Sequence, residues 1–99
     1  MKTIMSSIGV VKTANASSYL RKLCQHWGHK FAVEFDDHKG TIALPQTNCT
    51  LEASADTLTI RLDVEDGADA TRMRQVVEEH LQRFGFREEL IFEWNPVTI

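Results

Sequence analysis

The chain has 99 residues, of which 42% are hydrophobic and 25% are charged, and its formal net charge is −3. This length and composition indicate one soluble globular domain, residues 1–99, and exclude a disordered or repetitive chain. The acidic balance, with eleven scattered Lys and Arg residues, argues against nucleic acid or an anionic membrane surface as a partner. No apolar run approaches the ~20 residues that a membrane helix needs.

The N-terminal segment MKTIMSSIGVVKTANASS has two features of a secretory signal, a lysine near its start and an A-x-A motif at residues 14–16. Ser6, Ser7 and Gly9 interrupt the apolar stretch between them, and Lys12 stands at its far end. We therefore expect an uncleaved, cytoplasmic protein. The two cysteines, at positions 24 and 49, fit no zinc or disulfide spacing, so reduced and partly buried thiols are expected.

Runs of alternating polarity predict strands at residues 4–12, 31–37, 41–45, 48–55 and 56–65. In the first run Ile8 and Val10 share one face. In the other four, the residues expected to point inward are Phe31, Val33, Phe35, Ile42, Leu44, Cys49, Leu51, Ala53, Leu58, Ile60, Leu62 and Val64. Short turn signals separate these four runs, which favours a meander of hairpins.

Two stretches with helical periodicity, residues 13–28 and 66–85, predict amphipathic helices. Asn15 or Thr13 is the expected cap of the first helix, and Gly28 and Gly85 are the expected ends. The apolar stripes are Tyr19, Leu20, Leu23 and Trp27 in the first helix, and Met73, Val76, Val77, Leu81 and Phe84 in the second.

A last alternating run, residues 89–94, adds a strand and gives the order β-α-β-β-β-β-α-β. Strands that are apolar on one side need a single covering layer, which two amphipathic helices can supply. The sequence thus predicts an α+β domain with both helices on one face of an antiparallel sheet. This order resembles that of the TATA-binding-protein-like folds, which implies nothing about function.

The segment LCQHWGHKF, residues 23–31, is the strongest candidate for a site. Successive helical residues turn by roughly 100°, so Cys24 and His26 point roughly 160° apart and cannot share an ion. His26 and His29 lie on neighbouring faces, and His80 falls near the centre of the apolar stripe of the second helix. If the helices pack side by side, His80, His26 and Tyr19 meet. A core histidine satisfied by hydrogen bonds is the simpler interpretation; a zinc or iron site on His26, His29 and His80 is the alternative.

Other signs of catalysis are absent from the sequence. There is no nucleophile elbow, Gly-rich phosphate loop or HExxH motif, and the adjacent Glu78 and Glu79 diverge on their helix. His38 lies in a turn, DDHKG, where Asp is common and a weak cation site is the less favoured interpretation.

The outer face of the predicted sheet is rich in Thr and Ala, with few charges. Its members are Ala32, Glu34, Thr41, Ala43, Thr50, Glu52, Thr57, Thr59 and Arg61. Such a face is either simply solvated or a docking surface for a protein partner or another copy of the chain.

The run Tyr19-Leu20-x-x-Leu23-Cys24-x-His26-Trp27-x-His29-Lys30, with His80-Leu81-x-Arg83-Phe84 and Trp94, resembles a bacterial family, domain of unknown function 2218. The resemblance spans about Thr13 to Trp94. Some members of that family are joined to flavoproteins resembling siderophore-interacting reductases, which implies a link to iron acquisition. This chain has no flavin-binding segment, so the resemblance implies no reductase activity of its own.

Two hypotheses follow. The favoured one is a small binding or accessory module without catalysis or cofactor, linked to iron or siderophore metabolism. It would bind its ligand or partner near Trp27, His29 and Lys30 or on the outer face of the sheet. The alternative is a metal-binding protein or metal-dependent enzyme built on His26, His29 and His80.

Overall fold

The computed structural model describes residues 4–85 and 88–97. Along them lie strand β1 (Ile4–Lys12), helix α1 (Ala16–Trp27), strands β2 (Val33–Phe35), β3 (Lys39–Leu44), β4 (Thr47–Ala53) and β5 (Thr57–Glu65), helix α2 (Ala70–Phe84) and strand β6 (Glu93–Pro96). The predicted α+β class and element order are confirmed, but the last strand lies at Glu93–Pro96 and not at the predicted residues 89–94. The likeness to TATA-binding-protein-like folds stays a prediction.

The strands form one six-stranded antiparallel sheet in the order β2-β3-β4-β5-β1-β6. Strands β2 to β5 follow one another as the expected meander. Strand β1 pairs with β5 along its whole length, from Ile4 opposite Glu65 to Lys12 opposite Thr57, while β6 covers only residues 7–10 of its other edge. The β1–β5 pair is therefore the longest strand pairing in the sheet.

The inner face of the sheet is the floor of the hydrophobic core. Leu58, Ile60, Leu62 and Val64 of β5 are at most 2% exposed, as the alternation predicts. Each fully buried side chain of this size stabilises the fold by about 1.5–3 kcal/mol relative to leaving it in water. The inward residues of β3 and β4 agree with the prediction too, whereas β2 is shorter than predicted because the chain turns at Asp36.

Strand β1 turns its less apolar face toward the core. Ile8 and Val10 share a face, as predicted, but that face is the outer one, and Ser7, Gly9 and Val11 point inward. Trp94 of β6 packs on this inward face with its ring on Gly9, since a Cβ at position 9 would be 2.8 Å from the ring. Trp94 also donates a hydrogen bond from its indole nitrogen to Glu78 Oε1 (3.2 Å), which ties β6 to α2.

Both helices cover the inner face, which confirms the predicted layering. Helix α1 packs on β2, β3, β4 and β5 and on α2, and α2 packs on β5. Along residues 4–85 and 88–97, no helix has the length and apolar character needed to cross a membrane.

The helix ends are capped in different ways. The Asn15 side chain makes no capping bond to α1, and the Asn15 N–H instead donates to Thr13 Oγ1 (3.0 Å). Gly28 follows the last residue of α1, as expected, with a right-handed φ of −61°, and its N–H continues the helical pattern by donating to the Cys24 carbonyl. Asp69 caps α2 by accepting the Arg72 N–H (3.0 Å).

Candidate functional site

Helices α1 and α2 lie side by side in opposite directions. Tyr19 near the start of α1 contacts Gly85 at the end of α2, and the end of α1 contacts the middle of α2. There the ring centroids of His26 and His80 are 5.2 Å apart, and those of Trp27 and His80 are 5.0 Å apart. The packing of the helices thus brings together two of the three histidines that the sequence singles out.

The imidazole of His80 is oriented by its own helix. Its Nδ1 lies 2.7 Å from the carbonyl oxygen of Val76. A carbonyl can only accept, so Nδ1 carries the proton and donates, and Nε2 of the neutral ring keeps its lone pair. His80 is half-buried rather than central to the core, and His26 is exposed.

Trp27 forms the base of this cluster, since it is only 6% exposed and packs against His80. Its carbonyl accepts the N–H groups of Lys30 (3.0 Å) and Phe31 (2.9 Å), which folds the chain back at the end of α1. His29 and Lys30 are exposed in this turn. We call the side chains of His26, His29, Lys30 and His80 the histidine surface.

The three-histidine arrangement is not assembled. Along residues 4–85 and 88–97, no group of three or more His, Cys, Asp or Glu side chains is placed to hold a metal ion. The ring contacts of His26 and His80 are with each other, Trp27 and Phe84. Tyr19, which was expected beside His80, lies instead near Gly85 and Glu88.

A second polar cluster, which the sequence did not indicate, surrounds Glu88. Its Oε1 accepts hydrogen bonds from Thr13 Oγ1 (2.5 Å) and the Tyr19 hydroxyl (3.3 Å), and its Oε2 accepts one from Asn15 Nδ2 (3.2 Å). Burial, then the charge of Glu88 and its hydrogen bond, raise the pKa of Tyr19. The partners are 69 to 75 residues apart in the chain, so no local pattern could join them.

The two cysteines face the core. Cys24 is fully buried, with its sulfur against Gly40, and it points away from the exposed His26. Burial raises the pKa of Cys24 to about 11, and burial together with nearby Cys24 raises that of Cys49 to about 12. Thiols that stay protonated at neutral pH are poor nucleophiles.

The turn around His38 has a structural explanation. The Asp36 carboxylate accepts the N–H groups of His38 (2.7 Å) and Lys39 (2.8 Å), and these bonds hold the pKa of Asp36 below its ordinary value. This is an Asx turn, which ends β2 and starts β3.

The outer face of the sheet has no covering layer among the described residues. Several of its charges are paired within the face, Arg61 with Asp63 (3.0 Å) and Lys39 with Glu52 (3.7 Å). Threonines 50, 57 and 59 and the half-buried Ile8 and Val10 fill its centre.

Fold and surface together define a small α+β domain in which two helices cover one face of an antiparallel sheet. A family model described as "Uncharacterized protein conserved in bacteria (DUF2218)" matches residues 9–95, so the chain belongs to this bacterial family, as the sequence motifs predicted. The chain is also similar to the NMR structure of PA4090 from Pseudomonas aeruginosa, with 37% identity and a TM-score of 0.76 over 92% of this chain and 95% of that one. No curated protein matches the chain.

Proposed function

We propose that the protein is a non-catalytic cytoplasmic binding module of iron or siderophore metabolism, and that it binds its ligand through the histidine surface. The observation that carries the proposal is the pairing of His26 with His80, whose ring centroids are 5.2 Å apart, where His80 packs on the buried Trp27. Aromatic support of this kind holds polar ring edges in place at the surface at little cost in side-chain entropy. The link to iron rests on the family resemblance.

The chemistry of the histidine surface favours an anionic, aromatic ligand. Imidazole nitrogens and the exposed Lys30 ammonium are suited to oxygen-rich groups, and the imidazole faces can stack on flat rings. A ferric catecholate siderophore combines both properties. We therefore expect ferric enterobactin to bind more tightly than the cationic ferrioxamine B.

The test uses the fluorescence of Trp27 in a Trp94→Phe background, titrated with each of these two complexes and with iron-free enterobactin. Ferric enterobactin should quench saturably. His26→Ala and Lys30→Ala should each weaken binding about tenfold, the cost of losing one charge-assisted hydrogen bond. His38→Ala is the matched control, because His38 is exposed in the turn that is bonded to Ser17 at the start of α1, whereas the histidine surface lies at the end of that helix. Non-saturable quenching, or equal affinities in all variants, would contradict the proposal.

The second candidate is a metal-binding protein or metal-dependent enzyme that uses zinc or iron on His26, His29 and His80. It is favoured by the tautomer of His80, because a histidine whose Nδ1–H donates to a backbone carbonyl offers Nε2 to a metal. Elemental analysis of protein purified without chelators or an affinity tag tests it. Stoichiometric zinc or iron that is lost in folded His26→Ala and His80→Ala variants supports this candidate, and substoichiometric metal contradicts it.

The open sheet face is the second proposed surface, for a protein partner or a second copy of the chain. Its ion pairs are internal and its centre is formed by threonines with Ile8 and Val10, so a partner would meet few unpaired charges there. Self-association would give a monodisperse doubled mass in light scattering that Thr59→Lys returns to the monomer. A monomer at all concentrations contradicts self-association.

A further inference from the structure

A cleft of about 320 Å³ lies between the start of α1 and the end of α2, at the opposite end of the helix pair from Trp27. Tyr19, Glu88 and Gly85 form part of its lining, together with Ser18, Lys22 and Phe84. Close packing limits one side of the cleft, because a Cβ on Gly85 would overlap the Tyr19 hydroxyl.

The carboxylate of Glu88 is held in this cleft by hydrogen bonds that leave part of its acceptor capacity unused. A carboxylate offers about four acceptor positions, two on each oxygen. Oε1 uses two of them for Thr13 and Tyr19, whereas Oε2 uses one for Asn15. Counting the donors within residues 4–85 and 88–97, one position on Oε2 remains for a donor from outside. The Tyr19 hydroxyl donates a hydrogen bond to Glu88, and its oxygen still has lone pairs with which to accept one.

Lys22 supplies the opposite charge on the same cleft. It lies four residues after Ser18 and three after Tyr19, so all three occupy one side of α1. Lys22 is exposed, and within residues 4–85 and 88–97 it has no hydrogen bond or ion pair. Among the described lining residues, the cleft thus presents one fixed anion, one free cation and the ring of Phe84.

We propose that this cleft binds a free α-amino acid, with the ammonium on Glu88 Oε2 and the Tyr19 oxygen, the carboxylate on Lys22, and the side chain against Phe84. An ammonium group needs several acceptors, and a carboxylate prefers a cationic donor, so a zwitterion matches both sides at once. Burial and the charge of Glu88 keep the Tyr19 phenol protonated, which preserves its bond to Glu88. This proposal goes beyond the function proposed for the histidine surface and does not depend on it.

Three matched probes separate the contributions: L-phenylalanine, phenethylamine, which lacks the carboxylate, and 3-phenylpropionate, which lacks the amine. Each is titrated into the full chain, and the backbone amides of Ser18, Tyr19 and Gly85 are followed by ¹⁵N NMR. L-Phenylalanine should shift these amides saturably, and each truncated probe should bind at least about tenfold more weakly. Equal binding of the amine and the amino acid, or no shifts with any probe, would overturn the proposal.

Lys22→Gln is the decisive variant, because its exposed side chain makes no bond that folding requires. It should abolish the preference for L-phenylalanine over phenethylamine while leaving amine binding unchanged. Lys39→Gln, on the outer face of the sheet, is the matched control and should leave all three affinities as they are. A preference that survives Lys22→Gln overturns the proposal even if Glu88→Gln, which breaks the cluster around Tyr19, fails to fold.

Discussion

At the scale of single residues, two buried threonines show that a buried hydroxyl stabilises the fold only when it has a hydrogen-bond partner. Thr13 is 7% exposed, and its hydroxyl donates to Glu88 and accepts the Asn15 N–H. Thr47 is 4% exposed, and its hydroxyl has no hydrogen-bond partner among the described residues. The same substitution should therefore act in opposite directions at the two sites.

We expect Thr13→Val to lower the free energy of unfolding by about 1–3 kcal/mol, because it leaves hydrogen-bonding groups of Glu88 and Asn15 without their partner. Thr47→Val should raise it by about 1 kcal/mol, because it removes a buried hydroxyl that gains nothing. Urea denaturation of both variants measures the two values. A destabilising Thr47→Val would mean that this hydroxyl has a bonding partner after all.

Residue-level prediction from sequence succeeded where the periodicity of the helices carried the information. The approach of His26 and His80 could be inferred because each lies on or near an apolar stripe and such stripes face each other. The cluster of Tyr19 and Glu88 could not, because it depends on where the chain returns after α2. Trp27 was visible as a stripe residue, yet only packing reveals that it supports His80.

At the scale of elements, periodicity identified both helices and the central strands. Strand β5 alternates without exception from Leu58 to Val64, and its burial follows that alternation. Strand β1 is ambiguous because both of its faces contain apolar residues. Its inward face packs Gly9 against Trp94, which lies 85 residues further along the chain, so no local pattern indicates this contact.

The cap of α2 gives a prediction at this scale. Asp69→Ala removes the bond from the Arg72 N–H and should destabilise the fold by about 1 kcal/mol. Asp66→Ala is the matched control, since Asp66 is an exposed aspartate before the helix that makes no capping bond, and its effect should be near zero. Thermal unfolding followed by circular dichroism compares the two, and equal effects would rule out the capping role of Asp69.

At the scale of the whole molecule, the two buried cysteines should make the free energy of unfolding fall at alkaline pH. The pKa of Cys24 rises from 9.0 to about 11 and that of Cys49 to about 12. Between pH 9 and 11 the unfolded chain therefore releases thiol protons that the folded chain keeps. Because the unfolded state then binds fewer protons, the free energy of unfolding falls as pH rises, by at most about 1.4 kcal/mol per pH unit for each thiol.

Urea denaturation at pH 8, 9, 10 and 11 should show this decline, and a Cys24→Ala, Cys49→Ala double variant should show a clearly shallower one. The raised pKa of Tyr19 acts in the same direction above pH 10 in both proteins, so the comparison isolates the thiols. Parallel pH profiles would contradict the burial of the two sulfurs in the folded state.

The central claim is that the histidine surface is where this domain meets its ligand. The most direct measurement is chemical-shift mapping of the ¹⁵N-labelled chain titrated with the gallium(III) complex of enterobactin, a diamagnetic equivalent of the ferric form. We predict saturable shifts at His26, His29, Lys30 and His80 and at the Trp27 indole N–H, with the outer sheet face unchanged. Shifts confined to the sheet, or none anywhere, would contradict the claim.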